Sequence, residues 1–259
     1  MRTLAVIAVA TALLSGCATT LPPSNHRNFV ACPIVRDTST VPCWLAEYEG
    51  ETYFLTIQTD VSAPVTPPWL GHRVLVEGVV SDEPRICGGI VLKPVTLSVM
   101  QELDGSCNTM LPAEERYNLT FEPPRPPGPS RGRLSFGDPT MKPKAASVEL
   151  PRTFELHYEF DRMVMFRHAQ TLQQILEFVR QSKAKQITVT GYRGASALSN
   201  GERILEKEAM GQRRAEQIAE LLKGAGLSDA SYELKWKDVT KEASGVNDAV
   251  LRKVEVTVR

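Results

Sequence analysis

Few side chains in this 259-residue sequence are placed for covalent or acid–base chemistry, and the informative ones are cysteines. Cys17 directly follows the apolar stretch Leu4–Leu14 and the small pair Ser15-Gly16, and the other four, Cys32, Cys43, Cys87 and Cys107, all lie in the first half. An even set without C-x2-C spacing reads as two disulfides in an oxidising compartment rather than as a zinc site. Three connectivities are open, and Cys32–Cys43 with Cys87–Cys107 is preferred because each closes a local loop. The four histidines, His26, His72, His157 and His168, have no metal-ligand spacing. Nucleophile elbows, phosphate-cradling glycine loops and zinc-protease helices are absent, and Ser135 and Ser199 have no local base. The expectation is a protein that is not an enzyme, with no catalytic residues, no metal and no cofactor.

One positive charge at Arg2, the apolar stretch and a small-residue cleavage site describe a secretory signal peptide over residues 1–16. Leu14-Ser15-Gly16-Cys17 resembles the bacterial lipobox, which implies that Cys17 becomes the acylated, palmitate-bearing first residue of a lipoprotein. Ala18, where Asp would mark inner-membrane retention, implies an anchor in the periplasmic leaflet of the outer membrane. Several acyl chains at roughly 0.8 kcal/mol per methylene make such an anchor effectively permanent.

The remaining 243 residues suffice for two domains. Thirty basic against 30 acidic residues argue against a nucleic-acid binder. The balance hides an acidic front, since residues 21–122 carry 6 Lys/Arg and 13 Asp/Glu, and a basic connector, since residues 123–152 carry 6 and 2. Residues 17–28 read as a lipidated tether. Over 29–121, β-like runs at Cys43–Tyr48, Thr52–Gln58, His72–Val80 and Gly89–Met100 alternate with Gly, Pro and Asp clusters, and Glu49-Gly50-Glu51 is a hairpin candidate. A small all-β domain is predicted, an OB-like barrel or a sandwich. Residues 122–152 are rich in proline and read as an extended spacer, reaching about 3 Å per residue.

After Pro151 strands and helices alternate. Phe154, Leu156, Tyr158 and Phe160 mark a half-buried strand, Ala169–Ser182 a helix, Ile187–Gly191 a strand, and Glu202–Gly224 a helix with Ala209, Ala215, Ile218, Leu221 and Leu222 inward. Tyr232–Trp236 and Arg252–Val258 complete a βαβαββ order, so the chain is α+β, with an α/β sandwich over 153–259. Phe160-Asp161, Val189-Thr190-Gly191-Tyr192-Arg193-Gly194, Met210-Gly211-Gln212-Arg213-Arg214-Ala215 and Leu251-Arg252-Lys253-Val254-Glu255-Val256 fall, in order and spacing, where the OmpA-like peptidoglycan-binding domain has its motifs. Residues 154–259 thus resemble that family.

The resemblance implies a clasp in which an Asp grips the ammonium, and an Arg the carboxylate, of a diaminopimelate residue in the wall peptide. Arg214 stands at the Arg position and Gly194 at the Asp position, with no carboxylate from Ala195 to Gly201. Gly191, Tyr192, Arg193, Gly194, Arg214 and Arg252 are the candidate wall-binding residues. The expected role is an outer-membrane lipoprotein that tethers or spaces the envelope through a divergent peptidoglycan-binding domain, with a protein partner on the N-terminal domain. The alternative is a structural component of an envelope-spanning secretion or conjugation complex, in which the C-terminal domain docks protein instead of wall.

Overall fold

The computed structural model describes residues 25–58, 66–119, 149–163 and 168–259. The leader, Cys17, tether residues 18–24 and spacer residues 122–148 lie outside the described residues.

Seven strands form one sheet: β1 (His26–Ala31), β2 (Pro33–Arg36), β3 (Cys43–Tyr48), β4 (Glu51–Ile57), β5 (His72–Val80), β6 (Ile90–Leu103) and β7 (Thr109–Leu111), in the order β1-β5-β6-β4-β3-β2-β7. Only Cys32 separates β1 from β2, so one run of chain pairs with β5 on one side and with β3 on the other. The sheet therefore curls back towards that run as a half-barrel. Its inside is filled by Phe29, Trp44, Tyr53, Leu55, Val74, Val76, Leu92 and Leu97. The four expected strands recur as β3 to β6, and Glu49 and Gly50, with φ of 51° and 77°, turn β3 into β4 as a primed hairpin does. β1 and β2 were not expected: β1 starts at His26, inside the segment read as a tether, and Pro33 opens β2, where its missing N–H is tolerated.

The disulfides are Cys32–Cys107 and Cys43–Cys87, which corrects the local pairing. Register explains why. Cys43 lies opposite Arg36, four residues from Cys32 along the run. At ~3.3 Å per residue that is about 13 Å, beyond the ~7 Å span between Cα atoms that a disulfide tolerates. Cys87 and Cys107 flank opposite ends of the 14-residue β6. Both bridges instead join neighbours that the curled sheet creates.

The C-terminal half runs β8 (Arg152–His157), α1 (Ala169–Ser182), β9 (Gln186–Arg193), β10 (Ala195–Ala197), β11 (Arg203–Leu205), α2 (Met210–Leu222), β12 (Ser231–Asp238) and β13 (Lys253–Val258). A four-stranded sheet, β12-β9-β13-β8, has β12 parallel to β9 and packs both helices on one face around Leu156, Ile175, Ile187, Val189, Ile218 and Val256. The βαβαββ order is present, with the β10–β11 hairpin inserted before α2. Residues 202–209, expected to be helical, are partly spent in that hairpin, and α2 begins only after Ala209, whose φ of 59° is left-handed. The buried stripe of α2 is Ala215, Ile218, Ala219 and Leu222; Leu221 falls off it and, like Ala209, is exposed.

The two halves share a buried seam. On β5, Val74 and Val76 face the barrel interior, while Leu75 points outward to Phe160 and Leu198, with Val30, Met100 and Ile204 around them. On β6 the outward Ser98 Oγ accepts the Phe160 N–H at 2.9 Å, and Gln101 Nε2 donates to the Asp161 carbonyl at 2.6 Å. The hairpin tip meets β1: Ser199 N–H donates to the Asn28 carbonyl at 2.8 Å, and Asn28 N–H returns a bond to Ser199 Oγ at 2.9 Å. Asn28 Nδ2 also donates to Ala197 O at 3.1 Å and Gly245 O at 2.8 Å. At the centre, Glu77 of β5 takes Nη1 of Arg252 at 3.1 Å on one carboxylate oxygen and Nη2 on the other.

Removing one member of such a pair leaves a buried charge unanswered. Arg252→Met is expected to cost about 3–5 kcal/mol in urea unfolding, and Glu77→Leu added to it to restore most of the loss. A single-variant loss below about 1 kcal/mol, as for an exposed pair, would mean that water reaches Glu77.

Candidate functional site

Six residues were expected to form one site, and the packing of α2 on β9 decides where each goes. A Cβ on Gly191 would lie 1.9 Å from the Gly211 carbonyl, so helix and strand touch backbone to backbone and only glycine fits. That contact seats Arg214, one turn along α2, over the end of β9.

Arg214 has no exposed surface. A guanidinium has five N–H donors, and here all five have acceptors. Nε donates to Arg162 O at 2.9 Å, Nη1 to Tyr192 O at 3.2 Å and to Glu206 Oε2 at 3.0 Å, and Nη2 to Glu159 O at 3.3 Å and to Glu206 Oε1 at 2.5 Å. Its Cζ also lies 4.5 Å from the Tyr158 ring centroid. Glu206 is equally buried, and its two oxygens accept two further N–H groups, from Asp161 at 3.0 Å and Gly194 at 2.9 Å. The acid absent at position 194 is thus supplied from twelve residues on: β10 and β11 fold the chain back, Glu206 N–H donates to Gly194 O at 3.1 Å, and the side chain reaches Arg214.

The remaining candidates separate. Arg193 donates from Nε to Glu206 O and from Nη1 to Asp238, both at 2.8 Å. The Thr240 hydroxyl and N–H, together with Arg193, hold the Asp238 carboxyl below the ordinary Asp range. Tyr192 lends its carbonyl to Arg214, but its hydroxyl donates to Glu255 at 2.6 Å on the opposite face of the sheet, where burial and Glu255 push its pKa up to about 12. A Cβ on Gly194 would lie 2.8 Å from Cγ of Arg252, so a side chain there meets Arg252. Arg252 is itself fully buried; burial works against its charge, yet Glu77, then Glu206 and Asp248, raise its pKa above the ordinary value. The structure brings Arg214, Gly194 and Arg193 together around Glu206 and turns Arg252 towards the barrel.

Sequence reasoning missed Glu206 and Glu77. Glu206 lay in a stretch read as helix, where an acid is unremarkable. Glu77 had a visible signal: it shares a strand face with Leu75 and Val79, an apolar setting that marks a covered carboxylate. For metals, Cys32, Asp104 and Cys107 come within 4.8 Å of one another, but the two cysteines are joined in a disulfide and do not fit an ion.

Glu206→Ala and Arg214→Ala are each expected to lower stability by about 3–5 kcal/mol, with the double variant well short of their sum. Additive losses in the denaturation cycle would show that the pair is not coupled. Gly194→Asp is expected to lower the melting temperature by crowding Arg252, and an unchanged melt would mean that the loop moves aside.

No protein-family model matches the chain, and no curated protein does. Two solved structures are similar to part of it. The OmpA-like domain of FopA1 from Francisella tularensis subsp. tularensis SCHU S4 is 14% identical, over 41% of this chain and 73% of that one, with a TM-score of 0.31. The cell wall anchor of the T6SS from Pseudomonas aeruginosa is 20% identical, over 41% of this chain and 79% of that one, also with a TM-score of 0.31. Likeness at this level carries no argument about function, which rests on this chain's own contacts.

Proposed function

We propose that this chain is a lipoprotein held at the periplasmic face of the outer membrane by acylated Cys17, and that its two halves act as one spacer that docks envelope protein instead of clasping wall peptide through Arg214. The observation that carries this reading is the saturation of Arg214: Glu206 occupies both outer nitrogens, and three backbone carbonyls take the other N–H groups. A wall peptide gripped by this guanidinium would have to displace Glu206, leaving a buried carboxylate without its cation. That loss is about 3–5 kcal/mol, more than the roughly 1.5–3 kcal/mol that one charge-assisted hydrogen bond returns. Confinement near the wall raises effective concentration to the millimolar range, but it adds no donor to a guanidinium that has none left. The bonds across the β5–Arg252 seam favour the two halves moving together.

Two measurements test this. The Cys17→Ser chain is expected to lose fatty-acid labelling and to be released in the soluble periplasmic fraction; continued labelling would remove the anchor. That soluble form is expected not to sediment with purified peptidoglycan above the level of an unrelated protein. Sedimentation abolished by Arg214→Lys, in a variant that melts normally, would restore the wall-tethering reading.

A further inference from the structure

The four-stranded sheet stops at β12, which has β9 on one side and no strand on the other among the described residues. With eight residues it is the longest strand that ends a sheet, against six in β1 and β8 and three in β7, β10 and β11. It contains neither Pro nor Gly, and its register with β9 runs from Ser231 to Asp238 without a bulge. Ser231 N–H donates to Lys185 O at 2.7 Å, and Val239 N–H to Arg193 O at 3.0 Å. The N–H and C=O of one residue leave a strand on the same side, and successive residues alternate. Positions 231, 233, 235, 237 and 239 therefore turn these groups to β9, and Tyr232, Leu234, Trp236 and Asp238 turn theirs away from the sheet.

The side chains of β12 are self-complementary in one register. Glu233, Lys235 and Lys237 stand on the outer face: Glu233 accepts the Thr188 hydroxyl at 3.1 Å and pairs with Lys235 at 3.0 Å, and Lys237 Nζ lies 5.3 Å from the Tyr192 ring centroid. Tyr232 and Leu234 pack against the core on the helix face, and Trp236, 57% exposed, follows them there. Two copies of one edge can pair antiparallel about a twofold axis, provided that outward-turned residues oppose each other. Centring the pair on Glu233 or Lys235 sets like charges directly opposite, and centring it on Trp236 sets Lys235 against Lys237. Registers centred nearer either end overlap less of the strand. Centring on Leu234 puts Glu233 opposite Lys235 twice, Tyr232 opposite Trp236 twice, and Leu234 opposite itself. The charges then close an alternating square without giving up the contact between Glu233 and Lys235 within each chain. Lysines on an edge discourage pairing with other strands, and here they penalise the neighbouring registers while being answered in this one.

We propose that β12 is a self-recognition edge, to which a second copy of this chain adds antiparallel in the register centred on Leu234, joining the two four-stranded sheets into one. Tyr232, Leu234 and Trp236 of each copy then exchange about six main-chain hydrogen bonds. Trp236 gains the Tyr232 ring of the other copy as its cross-strand neighbour, a favourable aromatic pairing. Main-chain bonds supply the affinity and the alternating side chains the specificity, as in strand addition generally. The inference uses β12 alone and does not rest on the saturation of Arg214 or on the anchor at Cys17.

The test is sedimentation equilibrium of the soluble Cys17→Ser chain, loaded at roughly 1–500 µM. A monomer–dimer equilibrium is expected, with a Kd on the order of 10–100 µM, as suits an edge contact well below standard interface size. Trp236→Pro removes an exposed side chain and an N–H that points away from the sheet, and should raise Kd about thirtyfold by deleting two of the shared bonds. Glu233→Lys should raise it about tenfold, and Lys235→Glu added to it should restore the dimer. Should Trp236→Pro melt early, the charge reversal and its rescue decide. Register is read by mixing Glu233→Cys with Lys235→Cys under mild oxidation. Opposed residues of this kind are about 4.5 Å apart between Cα atoms, so the mixture should cross-link and either variant alone should give little. A chain that stays monomeric throughout, a dimer that the Pro and Lys variants leave intact, or cross-linking no greater in the mixture than in either variant alone would overturn the proposal.

Discussion

A guanidinium taken out of water must have its charge balanced and its donors answered, and two arginines here, Arg214 and Arg252, have no exposed surface. Arg214 draws its partners from three separate segments: the stretch after β8, the end of β9 and the return of the hairpin. Glu206 in turn holds the backbone N–H groups of Asp161 and Gly194. The pair therefore fixes the top of the C-terminal half as a single polar knot. Arg252 makes the corresponding link outward. Its Nη atoms both reach Glu77 across the seam, while its Nε has no partner among the described residues.

The barrel is shaped to receive that link. β5 is buried from Val74 to Gly78, which an isolated small barrel cannot achieve, because one face of each strand would be wet. The second face is covered by Phe160, Leu198 and the Arg252 guanidinium. The inserted hairpin serves two ends at once: its base carries Glu206 to Arg214, and at its tip Ser199 N–H donates to the Asn28 carbonyl while Asn28 N–H donates to Ser199 Oγ. A loop that could have stayed open towards a ligand is spent on internal contacts.

What remains available to a partner lies elsewhere. The outer face of the four-stranded sheet is cross-linked by its own ions, with Lys253 bridging Glu155 and Glu255 and Tyr192 bonded to Glu255. The groove beside β1 has Met100, Leu103, Leu198 and Ile204 in its lining and Glu102, Asp104 and Glu202 at its edge, the first two paired with Lys207 and Arg73.

Much of this was legible from residue order. Period-3.6 spacing in Ala169–Ser182 and in the second half of α2 reports local burial, and period-two alternation in His72–Val80 marks a strand, though the seam buries both of its faces. The even cysteine count implied two bridges. Which cysteines pair and that the run 26–36 belongs to the sheet were not legible, because each depends on strands brought together from far along the chain; that Arg203–Leu205 leave the expected helix for a hairpin was hidden because their tip is held by β1. The candidate site divides the same way. Sequence determined that Arg214 and Arg252 exist at those positions and that position 194 has no acid. Only the tertiary structure decided that Glu206 and Glu77 answer them, since a buried charge is paired by proximity in space, and folding places the nearest carboxylate 8 residues away for one arginine and 175 for the other.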